Sequence, residues 1–120
     1  MSDEIPIYHN PRCSKSRATL SLLQDAGCEP EIILYLENPP SAQRLGELLH
    51  AMNLSARDVM RTNEATYKEL GLSDKTLSEE VLIGQMVAHP ILIERPIVVA
   101  GEQVRLCRPP ELVSELIGSR

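Results

Sequence analysis

The segment YHNPRCSKSR, residues 8 to 17, places one cysteine among polar and basic side chains immediately before a predicted helix. A cysteine at a helix start lies at the positive end of the helix dipole and can accept hydrogen bonds from unpaired backbone amides. Both effects favour the thiolate, so we expect the pKa of Cys13 to lie below about 8.5, the ordinary value for cysteine. The polar neighbours argue against an inert buried cysteine. Cys13 is therefore predicted to be a nucleophile.

Neighbouring side chains could stabilise this thiolate further. The hydroxyl of Ser14 or Ser16 could donate a hydrogen bond to the sulfur. The basic groups that could add positive charge around it are His9, Arg12, Lys15 and Arg17.

The spacing around Cys13 excludes two other kinds of cysteine site. A thioredoxin-type dithiol needs a second cysteine where this sequence has Ser16, and a tyrosine phosphatase loop needs a longer spacing than the three residues between Cys13 and Arg17. Cys28 lies beyond the predicted helix, on the order of 20 Å away, whereas disulfide Cα atoms lie within about 7 Å. We expect an external thiol to restore Cys13, although Cys107, at a strand end, is harder to exclude as a partner.

Length and composition narrow the class of protein. With 120 residues, 42% of them hydrophobic, the chain is expected to form a single domain, residues 1–120. A formal charge of −5 gives no reason to expect nucleic acid or an anionic membrane as a partner. The sequence has neither a secretory leader nor the ~20-residue apolar stretch of a spanning helix. Its three cysteines lack metal-ligand spacing, so we expect a cytoplasmic protein without a metal or bound cofactor.

Hydrophobic periodicity predicts a β-α-β unit at the start of the chain. Residues 5–8 form a strand, and residues 14–26 form a helix that Gly27 ends. The unbroken apolar run at 32–36 is typical of a strand that is buried on both faces of a parallel sheet. The apolar face of the helix is predicted to consist of Ala18, Leu22, Leu23 and Ala26.

A helical segment over about residues 41–90 is predicted next. Ser41 caps its first helix, and a second helical stretch covers about residues 56–70. A third helix follows the capping-box sequence at 76–79. We interpret the preceding LYLENPPS sequence as a connection to these helices, and the alternative is a loop close to the substrate.

The final elements complete a recognisable order. Residues 97–99 and 104–107 are predicted to form a hairpin around Gly101, and residues 111–117 a last helix. The order β-α-β, helices, β-β-α predicts an α/β, thioredoxin-like core with a helical insertion between the second and third strands. Because the first crossover is right-handed, the turn that carries Cys13 is expected at the end of the sheet where open α/β folds place their sites.

Four segments together resemble the glutaredoxin-coupled arsenate reductase family, within the wider arsenate reductase and Spx group: IYHNPRCSKSR, EIILYLENPPS, ERPIVV and RLCRPPE. The match in order and spacing runs from about residue 5 to residue 117. The resemblance implies reduction of arsenate, with glutathione and glutaredoxin as reductants. It assigns Cys13 as the catalytic cysteine, with His9 and Ser16 supporting its thiolate, and it places Arg95-Pro96 at a cis-proline position. The residues that it assigns to oxyanion binding are Arg61, Arg95 and Arg108.

These assignments agree with the chemistry of the residues. Guanidinium forks match a tetrahedral oxyanion better than ammonium groups do, and Arg95 and Arg108 each precede a proline at an element boundary. The resulting hypothesis is that the Cys13 thiolate attacks As(V), that glutathione adds to the adduct, and that glutaredoxin takes up the mixed disulfide. We expect a monomer that binds neither nucleic acid nor membrane.

Two alternatives remain open at this level. One is a monothiol oxidoreductase that acts on glutathione mixed disulfides. The other is a non-enzymatic, Spx-like protein that binds RNA polymerase. Redox-switched Spx proteins carry Cys-x-x-Cys, and Ser16 in this sequence argues against that switch without excluding a protein-binding role.

Overall fold

A mixed four-stranded sheet forms the centre of the fold in the computed structural model, which describes residues 4–108 and 110–117. The spatial order is β2-β1-β3-β4, with β1 parallel to β2 and antiparallel to β3, which is antiparallel to β4. This arrangement confirms the predicted α/β, thioredoxin-like fold class. The strands are β1 (Glu4–His9), β2 (Glu29–Leu34), β3 (Ile97–Ala100) and β4 (Gln103–Leu106).

The chain divides into two compact units. Unit 1 contains the segments before Pro39 and after Glu94, and unit 2 is Pro39–Glu94. Unit 2 lies in the sequence between β2 and β3, and the assignment of the whole chain to a single domain stays a prediction. The helices are α1 (Ser14–Asp25), α2 (Ala42–Met52), α3 (Ala56–Val59), α4 (Ala65–Glu69), α5 (Glu79–Ala88) and α6 (Val113–Ile117), with 3-10 turns at Pro90–Leu92 and Pro110–Leu112. None of the helices in the described part of the chain combines the length and the apolar character needed to cross a bilayer.

The core of unit 1 forms between the sheet and the helices α1 and α6. The strand β1 has a partner strand on each side, and its residues Ile5 and Ile7 are completely buried. Gly27 ends the α1 region with φ +84, and Gly101 makes the β3–β4 turn with φ +63, so both predicted glycine turns are confirmed. The buried core residues of this unit are Ile5, Ile7, Leu23, Val98, Cys107, Val113 and Leu116.

The predicted apolar face of α1 was partly wrong. Ala18 and Ala26 are exposed, whereas Ser16, Thr19 and Leu23 are buried. The two buried hydroxyls are satisfied locally: that of Thr19 donates to the carbonyl one turn earlier at 2.9 Å, and that of Ser16 lies 2.6 Å from a histidine ring nitrogen. Because these bonds replace the lost hydration, polar residues can occupy the buried face.

The predicted second strand was also wrong in its position and burial. The strand is Glu29–Leu34, and Tyr35 already lies in the following turn. Since β2 is the edge strand and pairs only with β1, Ile32 is 47% exposed. Pro30, inside the strand, is a residue that sheets accommodate at an edge.

Unit 2 begins as predicted and then departs from the prediction. The Ser41 hydroxyl accepts a hydrogen bond from the Arg44 amide at 3.0 Å and caps α2, whose buried residues are Leu45, Leu48 and Leu49. The helical stretch predicted over about residues 56–70 consists of two short helices, α3 and α4. Met60 interrupts them because it forms an isolated antiparallel bridge with Ile93.

Two boundaries differ from the sequence prediction. The residue that caps α5 is Ser78, whose hydroxyl accepts from the Val81 amide at 3.2 Å, and not Thr76, whose hydroxyl bonds to Asp74 at 2.7 Å. The last helix begins as a 3-10 turn, Pro110–Leu112, before α6. Pro109, which precedes this turn in the sequence, lies outside the described residues.

The cap assignment predicts a difference between two hydroxyl deletions. Ser78→Ala removes the acceptor for a helix-terminal amide and should lower the free energy of unfolding by about 1 kcal/mol. Thr76→Ala, the matched control, deletes a hydroxyl from an exposed turn and should cost less. Urea denaturation of both variants checks this order, and a larger loss for Thr76→Ala would contradict it.

Candidate active site

The turn between β1 and α1 fixes Cys13 at the start of the helix. The Cys13 amide donates to the Asn10 carbonyl at 3.0 Å, and the Arg12 amide donates to the Asn10 side chain at 3.0 Å. The Arg17 guanidinium donates to the Pro11 carbonyl at 2.8 Å. Cys13 has extended backbone angles, φ −96 and ψ 121, and occupies the N-cap position of α1. Its sulfur therefore lies where the first helical amides have no intrahelical acceptor.

The environment of Cys13 favours the thiolate. The residue is only 9% exposed, and this burial by itself raises the pKa of the thiol because it penalises the charged form. Hydrogen bonding from the Ser16 amide, the positive charge and hydrogen bond of the Arg95 guanidinium, and hydrogen bonding from the Lys15 amide together outweigh burial. The pKa of Cys13 consequently lies below its ordinary value, in agreement with the sequence prediction.

His9 and Ser16 form a buried polar pair beside this cysteine. His9 Nδ1 lies 2.6 Å from Ser16 Oγ, and the same oxygen accepts a hydrogen bond from the Asn10 amide at 3.1 Å. Burial and the nearby charge of Arg17 lower the pKa of His9, so its neutral form dominates at neutral pH. The Ser16 hydroxyl thus stabilises the turn. The backbone amide of Ser16 donates a hydrogen bond to the Cys13 sulfur. Direct donation from the hydroxyl to that sulfur stays a prediction.

Arg95 and Arg108 lie at the same end of the β3–β4 hairpin. Arg95 precedes β3 and Arg108 follows β4, and the antiparallel register pairs Ile97 with Leu106. Arg108 Nη1 donates to the Arg95 carbonyl at 3.1 Å. The Arg95-Pro96 peptide bond is cis, as the family resemblance predicted. Since Arg95 also acts on Cys13, the fold of unit 1 brings the predicted nucleophile and two of the three predicted arginines into one connected set.

Arg61 belongs to unit 2 and is held there by acidic side chains. Its Nη1 lies 2.8 Å from Glu64 Oε1, and its Nε lies 3.5 Å from Glu94 Oε1. Its amide donates to the Leu92 carbonyl at 2.7 Å. Two carboxylates therefore compensate the guanidinium charge within this unit, a feature that the sequence analysis did not foresee. The assignment of Arg61 to oxyanion binding stays a prediction.

The other two cysteines have different environments. Cys107 is completely buried in the core, and burial raises the pKa of its thiol to about 12. A group with that pKa supplies almost no thiolate near neutral pH, so Cys107 behaves as a small apolar side chain. Cys28 is half-buried after α1 and packs against the same core. All three cysteines are free thiols.

A cleft of about 390 Å³ lies next to the cysteine turn. This cleft was not predicted, because the segment after β2 was interpreted as a connection to the next helices, with a loop close to the substrate as the alternative. The available signal was topological: the carboxyl ends of adjacent parallel strands meet at one edge of a sheet. The turn after β1 contributes His9, Asn10, Pro11 and Arg12, and the end of β2 and its following turn contribute Leu34, Leu36 and Glu37.

Comparison with known proteins agrees with this architecture. The ArsC family model matches residues 8–116. YfgD of Escherichia coli K12, an uncharacterised protein, is 56% identical over 119 residues, which are 98% of this chain and 100% of YfgD. An arsenate reductase from Escherichia coli is 49% identical over 113 residues, 94% of this chain and 80% of that protein. The structure of an arsenate reductase from Vibrio cholerae superimposes with a TM-score of 0.91 at 50% identity, covering 94% of this chain and 97% of that one.

The electrostatic arrangement predicts how Cys13 responds to pH. The rate of its alkylation should rise with pH and reach a plateau as the thiol ionises, with a midpoint below that of free cysteine. Arg95→Ala removes a positive charge that favours the thiolate, so the midpoint should rise and the rate at pH 7 should fall several-fold. Iodoacetamide labelling followed by peptide mass spectrometry measures the alkylation rate of Cys13 separately from those of Cys28 and Cys107.

Arg105→Ala is the matched control for this profile. Arg105 lies on β4 of the same unit, and its Nε is 3.7 Å from Glu115. Its loss should leave the Cys13 profile nearly unchanged. Equal profiles for wild type and Arg95→Ala would contradict the proposed stabilisation of the thiolate by Arg95.

Proposed function

This chain belongs to the ArsC family, and we propose that it reduces arsenate to arsenite through the Cys13 thiolate, with glutathione and glutaredoxin as reductants. It is an oxidoreductase of the arsenate reductase type, as expected from relatives of about 50% identity that carry that name. The observation that carries the proposal is a thiol of lowered pKa that interacts with the Arg95 guanidinium at the start of a helix. That combination supplies both a nucleophile and a binding group for an oxyanion.

The first proposed step forms a bond between sulfur and arsenic. The Cys13 thiolate attacks As(V), and one arsenate oxygen leaves as water after protonation. Arg95 and Arg108 stabilise the charge on the remaining oxygens, because guanidinium groups donate two parallel hydrogen bonds to such anions. The family resemblance adds Arg61 as a third binding group. His9 and Ser16 are proposed to hold the turn in the geometry that keeps the Cys13 sulfur ionised.

The reductive steps require external thiols. Glutathione replaces a second oxygen on arsenic, which again leaves as water, and the arsenic then carries both Cys13 and glutathione. A glutaredoxin thiolate attacks the glutathione sulfur, so the electron pair of the arsenic–sulfur bond stays on arsenic and reduces it to As(III). The products are a glutathione–glutaredoxin disulfide and arsenite, which leaves when water cleaves the bond to Cys13. The burial of Cys107 supports this dependence on external thiols.

The proposal also covers the cellular location and the oligomeric state of the enzyme. Free thiols are typical of proteins in reducing compartments, which supports a cytoplasmic location. Every group proposed to act on the nucleophile belongs to a single chain, so we propose that the enzyme works as a monomer and needs no bound cofactor.

Removal of the nucleophile tests the proposal. Cys13→Ser should abolish arsenate-dependent NADPH oxidation in an assay coupled through glutathione, glutaredoxin and glutathione reductase, because a serine hydroxyl is not ionised at neutral pH. Cys28→Ser, the control, should retain most of the wild-type rate. Wild-type activity in Cys13→Ser would refute the mechanism. If the wild type does not turn over arsenate but reduces a glutathione mixed disulfide, the monothiol alternative is correct.

Arg108 gives a second test, directed at oxyanion binding. Arg108→Ala should raise the arsenate KM by about 10-fold, the size expected for losing a hydrogen bond between charged groups, and the KM for glutathione should change little. Arg108→Lys keeps the positive charge but loses the forked guanidinium, so its arsenate KM should lie between those of the wild type and Arg108→Ala. Steady-state kinetics over arsenate concentration measures this. An unchanged arsenate KM in Arg108→Ala would exclude Arg108 from the binding site.

A further inference from the structure

The cleft beside the cysteine turn has features that the binding of arsenate does not use. Its volume, about 390 Å³, falls in the range of about 300–1,000 Å³ that is typical of small-molecule sites. One wall comes from the residues immediately before Cys13, and the other comes from the end of β2 and its turn. A molecule bound there would therefore lie against the segment that carries the nucleophile.

The lining combines two opposite charges with an apolar wall. Arg12 and Glu37 are exposed, and neither takes part in an ion pair among the residues that the structure describes. Leu34 and Leu36 line the same cleft, and Leu36 is 41% exposed although it is a large apolar residue. The site thus offers a cationic group, an anionic group and an apolar surface to one occupant.

We propose that this cleft binds the peptide part of the thiol co-substrate, a zwitterionic tripeptide, with a carboxylate on Arg12 and the α-ammonium group on Glu37. The inference rests on the proposed function, in which glutathione must deliver its sulfur to the arsenic held on Cys13. Leu34 and Leu36 contact the aliphatic parts of the peptide. Arg12 is adjacent to Cys13 in the chain, so the charge that holds the peptide is fixed by the same turn that fixes the nucleophile.

The charges distinguish this occupant from an inorganic oxyanion. A tetrahedral anion would be repelled by Glu37 and would gain nothing from the two leucines. A zwitterionic peptide can satisfy both charges and cover the apolar wall. The arsenate-binding arginines and the peptide-binding cleft are accordingly different parts of one site.

Thiol–disulfide exchange tests the cleft without arsenate. In this reaction the Cys13 thiolate attacks one sulfur of oxidised glutathione, the disulfide bond breaks, and Cys13 gains a glutathionyl group while one glutathione thiolate leaves. The uncharged 2-hydroxyethyl disulfide reacts by the same chemistry without peptide charges. The ratio of the two rates, measured by mass spectrometry of intact Cys28→Ser protein, reports recognition of the peptide after any change in Cys13 ionisation has cancelled.

Substitution of either charged residue of the cleft should lower the ratio of the two exchange rates. Arg12→Ala should lower the ratio by about 5-fold, the size of one exposed ion pair. Glu37→Gln should also lower it, because it removes the partner of the ammonium group. If Glu37→Gln instead raises the ratio, the cleft attracts simple anions and the proposal is wrong. An unchanged ratio in Arg12→Ala would also overturn it.

Arg105→Ala controls for general attraction of the anionic disulfide. Arg105 is a cation on β4 of the same unit, outside the cleft, and its Nε lies 3.7 Å from Glu115 Oε1. Its ratio should change by less than 2-fold, and a loss equal to that of Arg12→Ala would show that net charge, not the cleft, controls the rate. Because exchange needs no arsenate, the cleft can fail this test while arsenate turnover persists, and the converse also holds.

Discussion

Hydrogen bonding from the first amides of α1 to the Cys13 sulfur is the interaction on which the site depends. Burial at 9% exposure would keep the thiol neutral, so the fold must supply enough compensation to reverse that effect. The Ser16 and Lys15 amides can supply it because the tight turn after β1 places Cys13 at the N-cap and leaves those amides without intrahelical acceptors. The buried contact between His9 and Ser16 in turn holds the end of β1 against the first turn of α1.

The second source of compensation comes from the far end of the chain. Arg95 lies just before β3, the strand that pairs with β1. Arg108 lies just after β4 and donates a hydrogen bond to the Arg95 carbonyl. An antiparallel hairpin thus brings two cations, 13 residues apart in sequence, to one end of the sheet. The same core that supports this hairpin buries Cys107 and raises the pKa of its thiol to about 12. The scaffold therefore lowers the pKa of one thiol and raises the pKa of another.

The predictions that succeeded depended on local signals. Alternating apolar residues, Gly27 and Gly101 defined β1, α1 and the hairpin, and the N-cap position of Cys13 followed from the helix start. The prediction of the position and burial of β2 was wrong because hydrophobicity alone does not show which strand is at an edge. Pro30 was a usable signal for an edge strand. The placement of Arg95 required the family resemblance, since no local pattern relates it to Cys13. The acidic partners of Arg61 and the cleft containing Glu37 depend on tertiary contacts, which periodicity does not predict.

The central claim is that one thiolate receives the arsenic and that external thiols, not a second cysteine of this chain, complete the reduction. Native mass spectrometry of the enzyme with arsenate and glutathione, with glutaredoxin withheld, tests it most directly. The account predicts that an adduct containing both arsenic and glutathione accumulates on Cys13 and disappears when glutaredoxin is added. Release of arsenite without glutaredoxin, together with an internal disulfide from Cys13 to Cys28 or Cys107, would contradict it.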